Sequence, residues 1–145
     1  MNLGFNWLTL IQTIAIVSAL VVNIIVVIKQ INQTKIDVLL KITNAHRDLW
    51  SNIYKSPKLK RIFKSNVNLK VKPITEEEAM FVNMLFAHMN ASVQSVKYGT
   101  VFNFDGMEED FKNILSYPIP NLIWNKNKGY YDKIFVEFIS NLIMK

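Results

Sequence analysis

His46 and His88 are the only histidines in the chain, and with Arg47 beside the first they are the residues whose types suit acid–base chemistry. A general base at His88, working near Asn90 or Arg47, would fit a membrane-tethered nuclease. Helical-bundle ribonucleases, however, carry an arginine, four residues and then a histidine, and no arginine precedes either histidine at that distance. A histidine that interrupts an otherwise apolar helix face reads better as a buried, hydrogen-bonded structural residue. Two imidazoles do not make a zinc site, and the chain has no cysteine to complete one, to form a disulfide or to act as a nucleophile. Glu76–Glu78 and Glu108–Asp110 have the spacing of helix first turns rather than of a metal cluster. There is no Gly-rich phosphate loop and no hydrolase elbow. No catalytic residue, metal or cofactor is expected, and the chain is predicted not to be an enzyme.

The strongest signal lies elsewhere. Met1 to Ile28 carries no charged side chain, and Phe5 to Ile28 is almost wholly apolar. About 24 residues at about 1.5 Å each give a helix of roughly 36 Å, enough to cross a bilayer core with some tilt. A cleavable signal would need a basic start, a shorter apolar run and polar sequence after a small-residue site; Ser18-Ala19 is instead followed by more apolar residues, so retention is expected. Lys29, Lys35, Lys41 and Arg47 all follow the apolar run, which predicts an inner-membrane, single-pass topology with the amino terminus outside and the remainder cytoplasmic. Trp7 suits the outer interface.

Within this helix the polar residues share a face. At about 100° per residue, Thr9, Gln12, Thr13, Ala19 and Asn23 fall within about 120° of one another, with Asn6 close by, while Leu10, Ile14, Val17, Val21 and Ile25 lie mostly elsewhere. Amides in hydrocarbon require hydrogen-bond partners, so Thr9, Gln12, Ala19 and Asn23 are the expected self-association stripe of a homo-oligomer.

No glycine or proline stands between Gly4 and Pro57, so nothing local stops the helix at the bilayer surface. Leu39, Ile42, Leu49 and Ile53, with Ala45 or His46 between, continue an apolar stripe to about Tyr54, and Gln30–Thr34 is where a break would fall. The expected division is a transmembrane helix over 1–28, a juxtamembrane helix over 29–55 and a cytoplasmic helical domain over 56–145. The fold class expected is all-α.

Ser56-Pro57 signals a short second helix to about Asn66. Lys55, Lys58, Lys60, Arg61, Lys64, Lys70 and Lys72 meet no acidic residue in that stretch, and the overall charge is +6. Lys55, Lys58, Lys60, Arg61 and Lys64 are therefore expected to touch the lipid bilayer surface or a cytoplasmic protein partner; nucleic acid is the less favoured partner, because no binding motif accompanies the charge. Thr75 with Glu78 forms a capping box opening a helix to about Lys97. Its Met80, Phe81, Met84, Leu85, Met89, Val93 and Val96 cover more than one face, predicting a central helix, and Met80, Met84, Met89 and Met107 read as core filler. Asp105 or Gly106 opens a helix to Leu115 that Pro118 and Pro120 stop, an irregular connection follows from Tyr117 to Tyr131, and Asp132 caps a last helix.

Ala45–Trp50, Ser56–Phe63, Ile123-Trp124 and Tyr131–Ile139 together resemble prokaryotic single-pass membrane proteins with a small helical cytoplasmic domain of unassigned function. The resemblance lies in helix-packing aromatics and an arginine and bears on topology and fold; Arg47, Trp50 and Trp124 are expected to organise assembly or receive a partner. In architecture the chain also looks like small effectors and accessory proteins of prokaryotic phage defence, some of which form oligomeric pores. The function expected is self-assembly with a membrane-perturbing or pore-like output, a membrane tether for a cytoplasmic partner being the alternative.

Overall fold

A computed structural model describes residues 6–99 and 106–144. They are helical, with no strand among them: α1 Trp7–Lys55, a 3-10 segment Pro57–Phe63, α2 Glu76–Lys97, α3 Met107–Ser116, α4 Pro118–Asn127, a 3-10 turn Lys128–Tyr130 and α5 Lys133–Met144. The chain divides into two compact units, Met1–Asp37 and Val38–Lys145.

In the first unit, Asn6 opens α1, its side-chain oxygen accepting from the amides of Leu8 at 3.1 Å and Thr9 at 3.4 Å. Asn6 is thus a cap rather than part of the polar stripe. No break occurs at Gln30–Thr34, which is helical throughout. Among the described residues α1 is the one helix long and apolar enough to cross a membrane, and no side chain of its apolar stretch is buried in the fold.

The second unit encloses the core. Val82, Leu85, Phe86 and Met89 on α2 pack with Ile119, Ile123 and Trp124 of α4 and Phe135, Ile139 and Leu142 of α5, while Leu49 and Ile53 of α1 and Leu59 and Ile62 of the 3-10 segment complete the cluster. α2 starts at the expected capping box: the Glu78 amide donates to Thr75 Oγ1 at 3.2 Å and the Thr75 amide to Glu78 Oε2 at 2.9 Å. It stops at Gly99, whose φ of +68° an L side chain rarely adopts. Asp132 opens α5, accepting from the Ile134 amide at 2.8 Å.

Several expectations fail for physical reasons. Tyr117–Tyr131 is not irregular, because Pro118 and Pro120 sit in the first turn of α4, where the missing amides have no helical acceptor to lose. Prolines that end one helix here begin the next, and Asn121 Nδ2 donates to the Leu115 carbonyl at 3.1 Å across the corner. The segment after Ser56 is a 3-10 helix ending at Phe63, and Ser56 makes no cap bond; its hydroxyl faces Glu77 Oε1 at 3.4 Å. Met80 and Met84 are exposed, since α2 buries only the side that carries Phe81, Val82, Leu85, Phe86 and Met89. Asp105 lies outside the described residues.

Arg61 departs most from expectation. Its Nε donates to Glu78 Oε1 and its Nη2 to Oε2, both at 2.7 Å, while Nη1 and Nη2 also reach the carbonyls of Lys72 at 3.0 Å and Pro73 at 2.9 Å. With side-chain exposures of 14% and 4%, Arg61 and Glu78 form a largely desolvated fork, so Arg61 is not a membrane-facing cation. Burial pushes the Glu78 carboxyl up, but the bonds from Arg61 and Thr75 outweigh it and hold the group below the ordinary carboxylate range. The Arg61 guanidinium is raised in turn, chiefly by its hydrogen bond to Glu78.

Removing one partner leaves a buried, uncompensated charge. Arg61→Ala should therefore destabilise the domain by about 3 kcal/mol, against within about 0.5 kcal/mol for the exposed Lys64→Ala, in chemical denaturation of the detergent-solubilised chain. Because Glu78 is depressed on folding, its contribution is full above the unfolded carboxylate range and disappears as pH falls through its folded value. Glu78→Gln should blunt that acid sensitivity, and equal acid curves for variant and wild type would show the pair to be inert.

Candidate functional site

The second unit carries a broad concavity. A cleft of about 730 Å³ runs between the Leu39–Tyr54 stretch of α1, α2, α3 and the 3-10 segment. One wall is a relay of rings: His88 to His46 at 5.5 Å between centroids, His46 to Trp50 at 6.0 Å, Trp50 to Phe63 at 5.4 Å, and Phe63 to Tyr117 at 5.6 Å and nearly perpendicular. Helical spacing builds it, since His46 and Trp50 stand four apart on one face of α1 while His88 projects from α2. Ile42, Leu85, Met89 and Phe111 supply apolar floor, and Lys60, Asp110 and Asn113 the polar margin. A concavity of this size, mostly apolar with a few converging polar groups, is the usual form of a binding site.

Trp50 Nε1 donates to His46 Nε2 at 2.8 Å, which requires that nitrogen to be unprotonated and places the His46 proton on Nδ1. His88 is half-buried; desolvation lowers its pKa, and the neighbouring His46 lowers it further. One turn further along α2 the Ser92 hydroxyl donates to the His88 carbonyl at 3.0 Å. Among the described residues no three histidine, aspartate or glutamate side chains come together as a metal site would need.

The sequence-predicted site residues separate into groups. Thr9, Gln12, Ala19 and Asn23 are all exposed on α1. Thr13 Oγ1 donates to the Thr9 carbonyl at 2.8 Å, so that hydroxyl is satisfied within the helix. Lys55, Lys58, Lys60 and Lys64 are exposed, Lys60 also lining the cleft, whereas Arg61 is taken by Glu78. Trp50 lines the cleft. Trp124 does not reach the surface: at 3% exposure it sits in the core, stacked on Tyr131 at 5.7 Å and edge-on to Phe86 and Phe135, both at 5.4 Å. It is a packing residue, because α4 lies over α2 and α5 with this ring between them. Arg47 is exposed, its Nη2 donating to Asn44 Oδ1 at 3.1 Å; it does not line the cleft, so it is not joined to His88 as an acid–base pair would require.

The sequence leaves open that the two histidines meet in space, as they do, but gives no sign of Phe63 and Tyr117 as cleft walls. The i, i+4 spacing of His46 and Trp50 was the available signal. Compared with known proteins, the chain matches no family model, no curated protein and no solved structure.

Since His88 holds a proton less well folded than unfolded, the unfolded chain binds more protons as pH falls through the ordinary histidine range. The domain should lose stability from about pH 7 downward, and His88→Leu should lessen that loss. An NMR titration of the His88 ring checks the cause directly, with a midpoint expected below that of a free histidine.

Proposed function

We propose that this chain is a single-pass inner-membrane protein, amino terminus outside and helical domain in the cytoplasm, that assembles with copies of itself and acts through that assembly rather than by catalysis. The observation that carries this reading is the apolar stretch of α1, in which no described side chain is buried and whose amide side chains lie on one side. Uncovered apolar surface on this scale needs lipid around it, and amides within lipid need partners. The cations after Ile28 supply the orientation by the positive-inside rule. Lys55, Lys58, Lys60 and Lys64 remain exposed for anionic headgroups or an acidic partner. Perturbation of the membrane on assembly, as in an effector or accessory protein of prokaryotic defence, is the output this reading carries.

The cleft favours a second reading, in which the domain is a tether and Trp50 and its neighbouring rings receive a cytoplasmic partner. The two differ in what purified protein does alone. Under the first, protein extracted from membranes with detergent runs as a defined multimer, and Gln12→Leu combined with Asn23→Leu weakens it by roughly tenfold or more, two amide contacts at about 1 kcal/mol each. A monodisperse wild-type monomer that captures a host protein, and loses it in Trp50→Ala, would favour the tether.

A further inference from the structure

The first unit holds more order than a loose polar stripe. Gln12, Ile16, Ala19, Asn23, Val26, Gln30 and Gln33 alternate steps of four and three residues, the spacing of the two core positions of a heptad repeat. On a straight helix they stay within an arc of about 100° that drifts by about 20° per heptad, the mismatch that a left-handed supercoil removes. Lys29 and Lys35 fall off this arc, so no charge interrupts it before Asp37, which already accepts from Gln33 Nε2 at 3.0 Å. The opposite side, Leu10, Ile14, Val17, Val21, Ile25 and Ile28, is purely aliphatic and exposed.

Two threonine hydroxyls and three amides of this unit differ in what they lack. Thr13 and Thr34 donate to carbonyls four residues back, at 2.8 Å and 2.9 Å. Among the described residues, the side-chain amides of Gln12, Asn23 and Gln30 have no hydrogen bond within the chain. An amide carries both donors and an acceptor, so its simplest complement is another amide at the same depth. A second copy inserted in the same direction provides that at every such position at once, and the cations after Ile28 give all copies that same direction.

We infer that Gln12, Ile16, Ala19, Asn23, Val26, Gln30 and Gln33 form a parallel, in-register seam between copies of this chain, which continues past the last apolar residue, Ile28, into the polar stretch. Asn23 and Gln30 occupy equivalent heptad positions, where a polar residue sets register. This rests on the self-assembly reading and gives it a direction, a register and an extent.

The natural absence of cysteine makes the test direct. Single cysteines are placed in turn from Gln12 to Gln33 in the full chain, and membranes are oxidised without detergent. Disulfide-linked dimer should peak at Ile16, Ala19, Asn23, Val26 and Gln30 and reach a minimum at Ile14, Val21, Ile25 and Ile28. Separately, Asn23→Leu should weaken association by about fivefold and Val21→Leu should not. Copy number is counted on wild-type protein in lipid nanodiscs. Multimers with a flat or opposite-phase cysteine profile overturn the seam while leaving self-assembly standing through the domain. Single copies in nanodiscs overturn both.

Discussion

From Trp7 to Ile28 the backbone of α1 bonds to itself, and the side chains around it stay exposed in the folded chain. In water each Å² of such surface costs about 25 cal/mol relative to burial. Among the described residues no side chain of this stretch is buried, and the core of the second unit draws on α1 further on, at Leu49 and Ile53 with Trp50 packed against them. A bilayer relieves that cost entirely, and this is the physical basis of the proposed membrane position. It also makes each amide along the segment expensive unless paired, which is why Gln12 and Asn23 matter more than their number suggests. In the proposed membrane position the apolar majority would select the solvent and the polar minority the neighbour.

The second unit solves a separate problem, that of holding short helices around a small core. Glu78 is the junction. One carboxylate closes the first turn of α2 through Thr75 and clamps the 3-10 segment through Arg61, while Arg61 also gathers the carbonyls of Lys72 and Pro73. The loop before α2 is thereby fixed at both ends by a single pair of side chains. On the other flank the same economy is aromatic: Trp124 touches rings from α2, from α5 and from the turn between α4 and α5.

How far the sequence revealed this depended on the range of each interaction. The capping box was legible because Thr75 and Glu78 are three residues apart and its chemistry is local. The Arg61–Glu78 fork was not, being seventeen residues apart and hidden twice, once as one cation in a basic run and once as an acid already accounted for by capping. Pro118 and Pro120 were read as stops because a proline says only that a preceding helix cannot continue; that a new helix begins at the same residue is decided by the aliphatic face of Ile119 and Ile123 meeting α2. Trp124 reads as a docking residue because a segment that reads as irregular gives no helical periodicity from which its burial could be inferred. The methionines of α2 misled in the opposite sense, since Met80 and Met84 are as apolar as Met89 and differ only in which elements lie opposite. Of the cleft, only the His46–Trp50 spacing was local enough to be seen; the approach of His88 is tertiary.

The three tryptophans fall in three different surroundings. Trp7 begins the apolar stretch, Trp50 lines the cleft and is half-buried, and Trp124 is sealed among rings. Each indole therefore reports on one compartment of the molecule through its own emission. Water-soluble quenchers reach the second and are excluded from the third, while in the proposed membrane position the first is open to brominated lipid. Filling of the cleft, loosening of the core and immersion of the helix thus become spectroscopically separable in one unlabelled chain.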